Sequence, residues 1–105
     1  MSREFYNTLL NNKTNMKTIH SQIKPGKTLI IDSNLKVLDK TLDEVNIANT
    51  SFNKKISYNS NSKGLIELEH YIRSIANTVR MTGSNKLCLV IQPEDSSINI
   101  SLGVL

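Results

Sequence analysis

Apolar side chains in the first 24 residues fall at Phe5, Leu9, Met16, Ile19 and Ile23, and Asn12 completes a series whose steps alternate four and three. That spacing is the narrow a/d seam of a coiled coil rather than a broad amphipathic face. The seam returns at Leu65, Leu68, Ile72, Ile75 and Val79, where Ile66, Tyr71 and Ala76 broaden it. The pattern predicts two helices. Ser2 can cap the first, and Pro25-Gly26 stops it. Ser62 or Gly64 can cap the second, the latter placing Glu67 at N3, while Gly83 suits its C′ position. Glu69 and Arg73 form a favourable i,i+4 pair on its outer side. The first helix is the weaker one, because Asn7, Asn11, Asn12, Thr14, Asn15 and Thr18 all have poor helix propensity. Its stability must come from packing, or the chain breaks near Asn11-Asn12 into two shorter helices. Asn12 either sets the register of a seam or marks that break.

Between the helices the period changes. Lys27–Ile31, the turn residues Asp32-Ser33-Asn34 and then Leu35–Leu38 read as a hairpin. Residues 39–63 carry two patterns at once. Thr41-Leu42-Asp43-Glu44 fits a capping box with Leu42, Val45 and Ala48 at helical spacing, whereas Val45, Ile47 and Asn49 alternate as in a strand. Lys55–Tyr58 is a short strand candidate, followed by the polar loop Asn59–Ser62. After the second helix, Lys86–Gln92 is apolar on both faces, which marks a central or doubly covered strand. Pro93–Ser96 turns the chain. Ile98, Ile100, Leu102 and Val104 then alternate with Ser97, Asn99, Ser101 and Gly103, the pattern of a strand with one wet face. The expected fold is a single α+β domain over residues 1–105, two amphipathic helices packed on a mostly antiparallel sheet. Its order is helix, hairpin, uncertain connection, helix, hairpin.

Composition is consistent with a folded chain. The 105 residues are 38% hydrophobic and 21% charged, so a modest core forms and wholesale disorder is not expected. Asn (13), Ser (12) and Thr (8) are heavy against 2 Ala, which fits an A+T-rich coding sequence as well as turn and cap chemistry. The net charge of +4 is unevenly placed. Arg3, Lys13, Lys17, Lys24 and Lys27 face only Glu4 in the first 27 residues, so the whole excess sits on the first helix and its exit. Such a helix can meet an acidic partner or nucleic acid, or can be a solvated face. Few aromatic residues accompany the lysines, which weakens the case for single-stranded nucleic acid.

The chemistry-bearing residues are sparse. Cys88 is alone and lies among Leu87, Leu89, Val90 and Ile91, where a buried, inert thiol is expected. Glu67 and His70 make a Glu-x-x-His step, yet no second carboxylate-rich helix completes a metal site. No Gly-rich phosphate loop and no nucleophile–base pair stands out, so the chain is read as non-enzymatic, without catalytic residues, metal or cofactor. Lys54-Lys55 reads as a guarded strand edge, and Glu94-Asp95 as turn formers. With no apolar run near 18 residues and no leader pattern, the chain is expected to be soluble, cytoplasmic and free of the membrane. The sequons at Asn12, Asn49 and Asn99 then carry no glycan.

The stretch Thr28–Leu38, with its Asp32-Ser33-Asn34 tip, resembles the first hairpin of the roadblock family of small dynein-light-chain-like scaffold proteins. Ala76-Asn77-Thr78-Val79-Arg80 through Ile91 resembles that family's second helix and following strand. The connection 39–63 is long for the family, and a fifth strand would be expected at the end. The resemblance implies a non-enzymatic homo- or heterodimer serving as a platform for other proteins. The residues read alone also favour a protein-interaction or scaffold module that self-associates. Arg3, Asn12, Lys13, Lys17, Lys24 and Lys27 are its candidate partner-binding residues. The alternative is a small basic nucleic-acid-binding protein, or a phage or mobile-element inhibitor that blocks a host nucleic-acid enzyme.

Overall fold

The structure, a computed structural model, describes residues 14–57 and 62–105. The expectations for Ser2, Phe5, Leu9, the Asn11-Asn12 break, Tyr58 at the end of the strand candidate and Asn59–Asn61 of the polar loop lie outside the described residues. Helix α1 is described over 14–22, where Met16 and Ile19 are fully packed and Ile23 follows at the margin of the same core. The chain leaves it through Pro25-Gly26, with Gly26 in the left-handed region at φ 82°.

Helix α2 runs Ser62–Thr82, which takes Gly64 inside the helix rather than at its cap. Leu68, Ile72, Ile75, Ala76 and Val79 form its buried stripe, as the spacing predicts. Ile66 does not join them: it is 69% exposed. Tyr71 lies half-buried beside the stripe, and its hydroxyl donates to the Phe52 carbonyl at 2.7 Å. Gly83, at φ 72°, ends the helix with its N–H on the Arg80 carbonyl.

The sheet has five antiparallel strands: β1 Leu29–Ile31, β2 Asn46–Ile47, β3 Lys54–Ser57, β4 Leu87–Pro93 and β5 Ser97–Val104. Strand β1 pairs with β4 and β4 with β5, while β2 and β3 both lie along the far side of β5. The register sets Leu89 beside Leu102 and Ile91 beside Ile100, so successive residues divide into two layers. On the first face, Leu29, Ile31, Ile56, Leu89, Ile91, Ile98, Ile100 and Leu102 pack against the stripes of both helices. On the second face, Ile30, Cys88 and Val90 pack with Val45 and the half-buried Leu38. Strand β4 is therefore covered on both sides, as its unbroken apolar run predicts.

Three further sequence expectations change. The Leu35–Leu38 arm is not a strand; it returns along β1 through one bridge, Ile31 to Val37. Asp32 Oδ1 accepts the backbone N–H groups of Asn34 and Lys36 at 2.9 and 3.0 Å, bending the arm tightly. Leu35 sits at φ 67°, a left-handed conformation unfavourable for a branched side chain, and is held there by burying its side chain at 1% exposure. Second, the polar face of β5 is wet only in part: Ser97 and Ser101 are 8% and 9% exposed, small side chains among larger neighbours, while Asn99 between them stays partly exposed. Third, the connection combines both of its readings. Thr41–Glu44 caps a single 3-10 turn, Leu42–Glu44, with the Thr41 N–H on the Glu44 carboxylate at 2.7 Å, and the alternation at Val45–Ile47 becomes β2.

Strands β2 and β3 are two parts of one interrupted edge. Ile47 pairs with Gly103 and Lys54 with Ile100, so four residues are inserted on the β2–β3 side. The Asn53 side chain spans the gap. Its Oδ1 accepts the Leu102 N–H at 3.0 Å and its Nδ2 donates to the Ala48 carbonyl at 2.8 Å, standing in for the missing strand backbone.

Candidate functional site

A groove of about 510 Å³ runs beside β1. Its walls are Asn15, Thr18 and Gln22 of α1, the Lys27–Ile30 segment, and Lys36–Lys40 of the returning arm. The hairpin explains why it exists. Leu38 donates its N–H to the Ile30 carbonyl at 2.7 Å, one residue beyond the Val37 bridge, and the arm's bonding to β1 stops there. Continuing that register would bring Lys40 opposite Thr28. The arm turns away towards the 3-10 turn instead, so the entry to β1 at Thr28 is left beside the groove without a strand partner from the arm. Helix α1 closes the far wall, tied to the hairpin tip by Asn15 Nδ2 donating to the Asn34 carbonyl at 3.0 Å.

Lys27, Lys36 and Lys40 are exposed around this groove, against one acidic wall residue, Asp39. Lys27 Nζ reaches Gln22 Oε1 at 3.4 Å, keeping its ammonium group at the α1 wall. Of the described residues expected to meet a partner, Lys27 alone lines this groove. Lys24 is exposed on the preceding turn, and its carbonyl accepts the Lys27 N–H. Lys17 borders a separate depression with Met16, His20, Glu69 and Arg73. Arg3, Asn12 and Lys13 lie outside the described residues. Sequence reasoning missed Lys36 and Lys40, although the hairpin register was the signal that could have placed them beside Lys27.

In the depression by Lys17, Glu69 links the helices. It accepts from Arg73 Nη2 at 3.0 Å and from His20 Nε2 at 3.3 Å. Burial opposes its charge, yet the hydrogen bonds from Arg73 and His20 outweigh that and hold its carboxyl below the ordinary glutamate value. His20 Nδ1 is buried without a hydrogen-bond partner among the described residues. The Nε2–H tautomer suits this arrangement, since it donates to Glu69 and leaves Nδ1 as a bare acceptor.

A second surface lies at the Gly103 end of the sheet's second face. Ile47, paired with Gly103, is 45% exposed; Leu42 and Leu105 nearby in the chain are 38% and 40% exposed. The remaining chemistry-bearing groups are dispersed. Cys88 is buried on the second face, and burial pushes its thiol up, away from the reactive thiolate. His70 is exposed on α2, on the other side of the sheet from Cys88. Among the described residues no three His, Cys, Asp or Glu side chains are grouped to hold a metal ion. Lys54 lies over the Tyr71 ring at 4.8 Å, and Lys55 pairs with Glu94 at 3.8 Å. Glu94 also accepts from Asn99 at 2.9 Å, so this acid stiffens the β4–β5 turn. Among the described residues no helix is long and apolar enough to cross a membrane. No family model, curated protein or solved structure matches the chain.

Proposed function

We propose that this chain is a non-enzymatic protein-interaction module that works as a dimer, two copies meeting through the second face of the sheet. The observation that carries the reading is the exposure of Leu42, Ile47 and Leu105 around the Gly103 end of that face. Taking a large aliphatic side chain from full exposure to full burial gains roughly 1.5–3 kcal/mol, and covering these three, already more than half buried, gains part of that at each. A twofold axis makes such a patch meet its own copy. The dimeric platform implied by the sequence resemblance is the same kind of object.

Sedimentation velocity over a concentration series tests this. The parent chain is expected to sediment as a dimer, and Leu42→Asp/Ile47→Asp as a monomer with its circular dichroism unchanged. A parent chain that stays monomeric up to about 0.5 mM, weaker than any functional dimer constant, overturns the reading. So does a double variant that dimerises as well as the parent.

A further inference from the structure

We propose that the groove beside β1 binds an extended acidic segment of a partner protein, which adds to the open part of the β1 edge while its carboxylates meet Lys27, Lys36 and Lys40. This surface is separate from the Leu42–Ile47 face, so the proposal does not depend on dimerisation.

Three observations fix the chemistry of the occupant. The first is charge: three lysines from two elements stand around one groove with Asp39 as the single acidic wall residue. A ligand with carboxylates at alternate positions meets them in water, where each charge-assisted contact adds modestly and selects strongly against a basic rival. The second is backbone. Strand β1 bonds to β4 throughout, but the returning arm covers its outer side only at Ile30 and Ile31. Backbone groups alternate in direction along a strand, so with the Ile30 carbonyl on the arm those of Leu29 point to β4, and the next outward pair is that of Thr28, which lines the groove and can bond a peptide laid there. The third is the wall composition. The half-buried Val37 and Leu38 give the wall aliphatic surface that suits β-branched side chains between the acids. No described wall residue is aromatic, so a nucleic-acid base would find no ring to stack on.

The test uses fluorescence anisotropy with the full chain and a labelled peptide of about ten residues alternating Glu and Val, long enough to span the groove. Controls are the same peptide with Lys for Glu, the same peptide N-methylated at alternate residues, and an oligothymidine of similar length. The Glu-Val peptide is expected to bind. The Lys27→Glu/Lys36→Glu/Lys40→Glu variant should weaken it by about tenfold or more, as loss of three charge-assisted contacts requires. Lys54→Glu/Lys55→Glu, on the opposite edge, should change it less than about twofold. N-methylation should weaken binding on its own, since it removes main-chain donors. Lys36→Gln/Lys40→Gln serves where the triple variant does not fold, and should weaken binding by a smaller factor. The proposal is overturned if no binding is seen up to about 1 mM peptide, a constant too weak to matter. It is also overturned if the groove variants bind as the parent does, or if N-methylation has no effect. Oligothymidine binding at least as tightly as the peptide, and losing affinity in the same variants, would reassign the groove to nucleic acid.

Discussion

On the helix side of the sheet, Leu89, Ile91, Ile98 and Ile100 lie beneath α1 and α2; on the other side, among the described residues, Ile30, Cys88 and Val90 lie beneath Leu38 and Val45. Yet the residues of both layers reach almost no exposure. The difference is in what faces them. The helix side fills space with long branched side chains from three directions. The second side removes space, because Gly103 lets Val45 approach the sheet closely: a Cβ there would fall 2.5 Å from Val45 Cγ1, 2.9 Å from Val90 Cγ2 and 3.0 Å from Cys88 Sγ. A thin cover can therefore seal a strand, but only locally. Beyond it, Leu42, Ile47 and Leu105 stay exposed, which is where the proposed dimer surface lies.

If this contrast is right, truncations on the two faces differ in cost. Ile91→Ala should lower stability by about 3–4 kcal/mol, a large side chain lost from a site closed on all sides. Val90→Ala, its neighbour on the other face, should cost about 1–2 kcal/mol, since two carbons are lost and a thin cover can settle. Urea unfolding of the pair measures both. Equal costs would break the comparison.

Gly103→Ala sharpens it from the opposite direction, by adding an atom where the close approach leaves no room. The expected loss is about 1–3 kcal/mol from overpacking. Val45→Ala should recover part of that loss in the Gly103→Ala background although it is destabilising alone, a coupling that a double-mutant cycle reads directly. Independent, additive costs would show that Val45 is not what Gly103 accommodates.

These features also mark how far the sequence carries. The two-helix, antiparallel α+β architecture is legible because stripes such as Leu68, Ile72, Ile75 and Val79 repeat at one period, and Leu87–Ile91 has no polar face. The middle of the chain is less so, because its structure depends on partners distant in sequence. Asn53 gives no local sign of replacing strand backbone; its role arises only once Leu102 and Ala48 are brought to either side of it. The wet face expected of β5 is met at Asn99 alone among its polar residues, since Ser and Gly mark small size as well as polarity and at Ser97, Ser101 and Gly103 the size decides. At the groove, net charge drew attention to the first helix and its exit. The structure keeps Lys27 from that set and joins it to Lys36 and Lys40, which a nearly neutral segment had hidden.

The smallest expected effect concerns how each cover is held together. The segment over the second face is fixed mainly by backbone bonding through β2 and its own 3-10 turn, whereas α1 and α2 are also linked by the hydrogen bond from His20 to the Glu69 carboxylate, which Arg73 holds from within α2. Arg73 and His20 keep Glu69 ionised in the folded chain at a pH where the unfolded chain would bind a proton. A depressed carboxyl value means that this contribution is present above the ordinary glutamate value of about 4.3, and is lost as pH falls through the lower folded value. Glu69→Gln should thus lower the urea midpoint at neutral pH by the small amount usual for a partly exposed pair, and the gap to the parent should narrow as pH drops below about 4. Lys17 borders the same depression, so Lys17→Gln is the control: it removes a neighbouring charge without breaking either hydrogen bond and should leave the narrowing in place. A gap that stays constant across the acid range would mean that Glu69 joins the helices by packing alone, and the two covers would then differ only in thickness.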